Sequence, residues 1–295
     1  MLTLSYKNFR NFLRIVPICP KPEAIGLKNI PKDEPTLYVY NHITRRAEPM
    51  FLGMTAPAKP PIRFFAEITI VSNYERSRTK EDIVDSIFSR RFQQKIGKNA
   101  LTRFSFAKLT EFLTRFFIAQ MGRFQIIPIY LHDPPTRDEE LIKRHINKQA
   151  LEECLNCLEN HIPVAIAPSG GSTHEAAENP ISQTIVPTLA SLLYKRGKVV
   201  KIVPSIVKER PTVNKETYKK YLADRIPLCR FYVWLMNKIK ASPYERPRLI
   251  VEFLPPLTFA QTNPTKAEKI LFITELQDAM YTALRKENST GLKIF

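Results

Sequence analysis

LYVYNHITRRAEPM, residues 37–50, is the stretch on which the reading of this chain turns. Leu37 to Tyr40 are all apolar or aromatic β-formers, a run that predicts a strand buried on both faces. The run ends in Asn41-His42. Ligand sites in α/β sheets gather beyond the carboxyl ends of the strands, so His42 is placed where chemistry is done. Six residues on, Glu48 precedes Pro49. A carboxylate that accepts a hydrogen bond from one ring nitrogen fixes the tautomer and strengthens the other nitrogen as a base. A solvent-facing loop histidine beside a helix-capping acid has the same residues, and this stretch alone leaves both readings open.

A second stretch, PVAIAPSGGSTHEA at 163–176, has the same form: a short apolar strand running into a polar turn. It holds two of the chain's eight glycines. Ser169-Gly170-Gly171-Ser172-Thr173 offers backbone N–H groups and hydroxyls that suit an oxyanion or a phosphate. A plain connecting turn between strand and helix is the competing account. The order is not Gly-x-Ser-x-Gly, which disfavours a nucleophile-elbow hydrolase.

Working outward, strands are expected at 62–71, 124–130, 199–207 and 248–254, with Pro128 pushing the second of these to an edge or a bulge. Helices are expected at 81–97, 101–121, 136–159, 187–196 and 265–287. Strands alternating with helices predict an α/β fold with a mixed, partly parallel central sheet flanked by helices. Residues 1–35 read as an amphipathic helix (2–16) and a linker, and 36–295 as one domain. Cys154 and Cys157 fall on the apolar face of the helix at 136–159, with no second pair or histidine at ligand spacing. They read as buried thiols in a reducing compartment, and no metal is expected.

Hydrophobic residues at 44% exclude a disordered chain, and the scarcity of glycine argues against a dinucleotide-binding loop. Lys and Arg number 45 against 28 Asp and Glu, a net charge of +17 over 295 residues. Such an excess suits a polyanion: nucleic acid, an anionic membrane or an acidic protein. No RNP, helix-turn-helix or zinc signature supports nucleic acid, which is not expected as a partner. No run of about 18 apolar residues predicts a membrane span. The opening segment, interrupted by Lys7, Arg10 and Arg14, does not read as a secretory signal. The segments 2–16, 101–121 and 226–240 interleave aromatic and aliphatic residues with Lys and Arg, which suits contact with an anionic membrane surface. The expected location is cytoplasmic, peripheral on the inner face of a membrane.

Four stretches in order resemble the glycerolipid acyltransferase superfamily, which includes lysophosphatidate and glycerol-3-phosphate acyltransferases. Asn41-His42 with a following carboxylate resembles the first motif. Gly122-Arg123 leading into FQIIPIY is similar to the second, and Ile202-Val203-Pro204 to the fourth. Ile166-Ala167-Pro168-Ser169-Gly170-Gly171 resembles the third, in wording closest to the plastid-type glycerol-3-phosphate acyltransferases. The resemblance spans about residues 36–257.

That resemblance implies an acyltransferase-like fold and a reaction. His42 would be the base that deprotonates an acceptor hydroxyl, oriented by Glu48. The hydroxyl would attack an acyl thioester carried by coenzyme A or acyl carrier protein, with N–H groups holding the tetrahedral oxyanion. The acceptor would be glycerol-3-phosphate, a lysophospholipid or a related lipid, and no cofactor is needed. Asn41, Arg123, His132, Ser169, Gly170, Gly171, Ser172, Thr173 and His174 would bind substrate. The chain departs from the family at three points, one of them that only 40 residues precede Asn41 where plastid-type enzymes carry a helical domain. The family carries Asp five positions after the histidine, where Ala47 stands here and Glu48 follows. One residue turns a helical ladder by about 100°, and the longer Glu side chain before Pro49 offsets part of this. The family also places arginine just after the third motif, where this chain has Ser172, Thr173 and His174. Arg123, or Arg45 and Arg46, would then meet an acceptor phosphate. A lipid- or membrane-binding protein on the same scaffold, altered at the carboxylate, is the competing reading.

Overall fold

Eight strands form the sheet in the computed structural model, which describes residues 22–41, 52–53, 55–57, 60–67, 126–130, 136–168, 184–210 and 248–286, together with Lys108 and Glu111. In chain order they are β1 (Glu23–Ile25), β2 (Thr36–Tyr40), β3 (Arg63–Glu67), β4 (Ile127–Ile129), β5 (Val164–Ile166), β6 (Lys201–Arg210), β7 (Arg248–Phe253) and β8 (Leu257–Thr258). Among the described residues, three long helices accompany them: α1 (Arg137–Glu159), α2 (Ile185–Lys195) and α3 (Lys266–Lys286). The spatial order is β1-β7-β6-β2-β5-β3-β4, with β8 also on β6. Strands β6, β2, β5, β3 and β4 all run parallel, and β7 and β8 run antiparallel to β6. The sheet is therefore mixed and largely parallel, with helices against it.

The strand at 37–40 is buried on both faces as its composition predicts. Leu37 and Val39 join Val164, Ile166 and Ile202 in one core, and Tyr38 and Tyr40 join Ala165, Val203 and Phe253 in the other. The alternation follows from the pleat, which sends successive side chains to opposite faces. All three helices pack on the first face. Helix α1 supplies Ala150, Cys154 and Leu158; α2 supplies Val186, Leu189, Ala190 and Leu193; α3 supplies Phe272, Leu276, Met280 and Leu284. These spacings of three and four put one apolar stripe of each helix on the sheet. Cys154 and Cys157 are free and buried, as expected. Burial pushes both thiols up, and Cys157 and Glu153 add to the effect at Cys154.

Two prolines sit where the sheet tolerates them. Pro128 lies in β4, which ends the strand order. Pro204 lies inside β6, and its carbonyl accepts from Leu254 N–H at 2.9 Å, so its backbone groups face the β7–β8 side. There Ser205 pairs with Phe253 and Ile202 with Leu257, so three residues, Leu254 to Pro256, oppose two. The missing N–H of Pro204 thus falls at a bulge, where no ladder bond is required of it.

Residues 23–25, read from the sequence as linker, form β1 and pair in parallel with β7. Gly26 follows with φ at 74°, and a Cβ there would lie 2.1 Å from Phe253 O. Only glycine fits this turn. It lets Asn29 Nδ2 donate to Phe253 O at 2.8 Å. The helices expected at 2–16 and 81–97, and the segment 226–240, lie outside the described residues; of 101–121 only Lys108 and Glu111 are described, and both are helical.

Candidate functional site at the carboxyl edge

The five parallel strands share one carboxyl edge, and the first and third motif stretches follow β2 and β5 there. In β2 and β5, Val39 is level with Ile166, so Asn41 and Pro168 each stand two residues past a paired rung. The two motif stretches leave the sheet as immediate neighbours. On the other side of β2, Val39 is level with Pro204 and Tyr40 with Ser205. The second-motif stretch enters through β4, at the far end of the sheet, with β3 between it and β5.

Asn41 is the one predicted site residue among those described. It is 1% exposed. Its Oδ1 accepts from Val207 N–H at 2.7 Å, and its Nδ2 donates to Val207 C=O at 3.0 Å. The amide expected at the substrate is therefore engaged inside the protein. His42, Glu48, Arg123, His132, Ser169, Gly170, Gly171, Ser172, Thr173 and His174 lie outside the described residues. Arg123 comes four positions before β4 and His132 three after it. The carboxyl end of β4, at Ile129 and Tyr130, shares the edge of Asn41.

A second asparagine closes the same edge. Asn147 Oδ1 accepts from Tyr130 N–H at 2.8 Å, and Asn147 Nδ2 donates to Tyr130 C=O at 3.0 Å. Helix α1 runs from the end of β4 back to the start of β5, so it opposes the strands, and Asn147 marks where it passes the carboxyl edge of β4. At the opposite edge Arg63, at the start of β3, forms an ion pair with Glu153 of α1. Nothing in the sequence singles out Asn147: it sits in a polar stretch of a helix, and only the packing of α1 against β4 gives it a partner.

No helix among the described residues is long and apolar enough to cross a membrane. Compared with models of protein families, with curated proteins and with solved structures, the chain matches none.

Proposed function

We propose that the protein is an O-acyltransferase that moves a fatty acyl group from a thioester, of coenzyme A or acyl carrier protein, to a hydroxyl of glycerol-3-phosphate, a lysophospholipid or a related lipid. The observation that supports this reading most is the adjacency of β2 and β5. Two strands far apart in sequence are parallel neighbours, and the histidine motif follows one while the Ser-Gly-Gly turn follows the other. A base and an oxyanion-binding turn are the two parts that transfer to an alcohol needs. The hydroxyl has a pKa far above 7 and does not attack unaided, so His42 takes its proton as the C–O bond forms. The negative charge that develops on the thioester oxygen is met by the N–H groups of the turn. The thiolate then leaves, and the proton held on His42 is available to it. Glu48 orients the imidazole in this scheme. The direction of β4 favours His132 over Arg123 for a place at this site, because His132 follows the carboxyl end of the strand.

Contact with an anionic membrane surface belongs to the same proposal. The product is a lipid, as is every proposed acceptor except glycerol-3-phosphate, and the charge of +17 favours approach to anionic headgroups. The test is direct. Purified protein is offered both donors against a panel of glycerol-3-phosphate, lysophosphatidate and neutral lysolipids, with products identified by mass spectrometry. Transfer to at least one acceptor is expected, and His42→Ala should lower turnover at least ~100-fold with the fold intact. Full activity of that variant would remove His42 as the base. No product from any pair would leave the lipid-binding reading of the scaffold.

A further inference from the structure

We infer that Asn41 is a positioning residue: its side chain is the last rung between β2 and β6, and it sets the point at which the chain carrying His42 leaves the sheet. The relevance to catalysis rests on the reading of His42 as the base. The last backbone rung between the two strands joins Tyr40 and Ser205. Strand β6 continues to Arg210. Two residues past Ser205, the backbone N–H and C=O of Val207 again face the β2 side, and β2 has ended there.

Both groups are met by one side chain. The amide of Asn41 carries a donor and an acceptor in one plane, as a peptide unit does, and it bonds both backbone groups of Val207. Neither Asp nor Ala reproduces both halves of this. An ionised Asp keeps the acceptor and loses the donor, and Ala leaves both groups of Val207 unmet in a buried place. The side-chain rung takes the role of the backbone rung that would have followed. The side-chain rung extends the tether to β6 one step beyond the Tyr40–Ser205 pairing. The next residue in sequence is His42.

The experiment uses isotopically labelled full-length protein as wild type, Asn41→Ala and Leu276→Ala. Leu276 is a fully buried residue of α3 in the helix-side core, and its truncation reports general destabilisation. Two signals are followed by NMR: hydrogen exchange at the Val207 amide and the titration of the His42 ring. In Asn41→Ala, Val207 exchange should rise at least about tenfold, and the His42 midpoint should move by about half a pKa unit or more. In Leu276→Ala the His42 midpoint should stay. An unmoved His42 midpoint in folded Asn41→Ala, or an equal shift in both variants, overturns the inference. If Asn41→Ala does not fold, Asn41→Asp decides. As a neutral acid it donates to Val207 C=O, and ionised it does not, so its Tm deficit against wild type should shrink from pH 8 to pH 5. A deficit that does not change with pH overturns the side-chain rung. Where wild type turns over a thioester, Asn41→Ala should lower kcat at least about tenfold with KM within about threefold. An inactive wild type would count against the acyltransferase reading alone, because neither NMR signal depends on turnover.

Discussion

At the end of β2 the amide of Asn41 reaches from the departing chain to the neighbouring strand. At the end of β4 the amide of Asn147 reaches from a helix back to the departing chain. Each bonds an N–H and a C=O of one residue, Val207 and Tyr130 respectively. The surroundings differ. Asn41 is 1% exposed between central strands, whereas Asn147 and Tyr130 are half-buried at the margin of the sheet. Water can replace a lost partner at the margin and has no access at the centre. The same pair of hydrogen bonds therefore carries different weight: at the centre it decides whether two buried backbone groups are satisfied, and at the margin it chooses the protein over water.

The largest expected effect follows at the centre. Asn41→Ala strands the N–H and the C=O of Val207 without water, at ~1–3 kcal/mol for each unsatisfied group. Urea unfolding should show a loss of about 3 kcal/mol with an unchanged m-value, as expected when native contacts rather than denatured-state compactness are altered. A loss under about 1 kcal/mol would mean that water reaches Val207 and that the contrast between the two ends is unfounded.

This contrast also marks what was legible in the sequence. The strand is legible at 37–40 because every residue there is apolar or aromatic, and the buried stripes of α1 and α3 because their apolar spacing is helical. The chain does not print the order of the strands. That β6, β2 and β5 lie side by side depends on long-range packing, and that adjacency is what brings the motif stretches together. The short strands β1 and β8 escape pattern reading because two or three residues carry no period. The helix expected from Pro187 begins two residues earlier, at Ile185. A proline in the first turn is tolerated, since the N–H it lacks has no acceptor there in any case. Of the candidate site, Asn41 was visible beside His42, but its role was not. A side chain that substitutes for a backbone rung is recognised only when the partner strand outruns its neighbour. Asn147 gave no signal, because its function is set by the strand α1 lies against.

A smaller effect is expected at the margin. Asn147→Ala removes the same two hydrogen bonds, but water can meet Tyr130 N–H and C=O in their place. Ala is also favoured over Asn in a helix interior by roughly 0.6 kcal/mol. The net loss should be about 0.5 kcal/mol, several times less than at Asn41, with exchange at the Tyr130 amide raised and exchange at Val207 unchanged. Equal losses at the two asparagines would break the comparison. A rise in Val207 exchange would show that the two ends of the edge are coupled.

The least effect is expected where α1 starts. Thr136 Oγ1 accepts from Glu139 N–H at 3.3 Å as the N-cap, and Asp138, Glu139 and Glu140 fill the first turn, where the helix dipole favours them. None of the residues Arg137 to Gln149 is buried, and the core contacts of α1 begin at Ala150. Thr136→Ala removes one orphan-donor partner at ~0.5–2 kcal/mol in general. Here the bond is long and exposed, and an unpacked turn can fray without opening the core, so about 0.5 kcal/mol or less is expected. Fraying from the cap would have to travel eleven residues to reach Asn147. Amide exchange should therefore rise at residues 137–141 and stay level at Tyr130 and at Asn147 itself. A rise at Tyr130 in Thr136→Ala would mean that the first half of α1 opens as one unit with its contact to β4. The margin of the sheet would then depend on the cap as much as on the asparagine, and the central end at Asn41 alone would hold its place by local bonds.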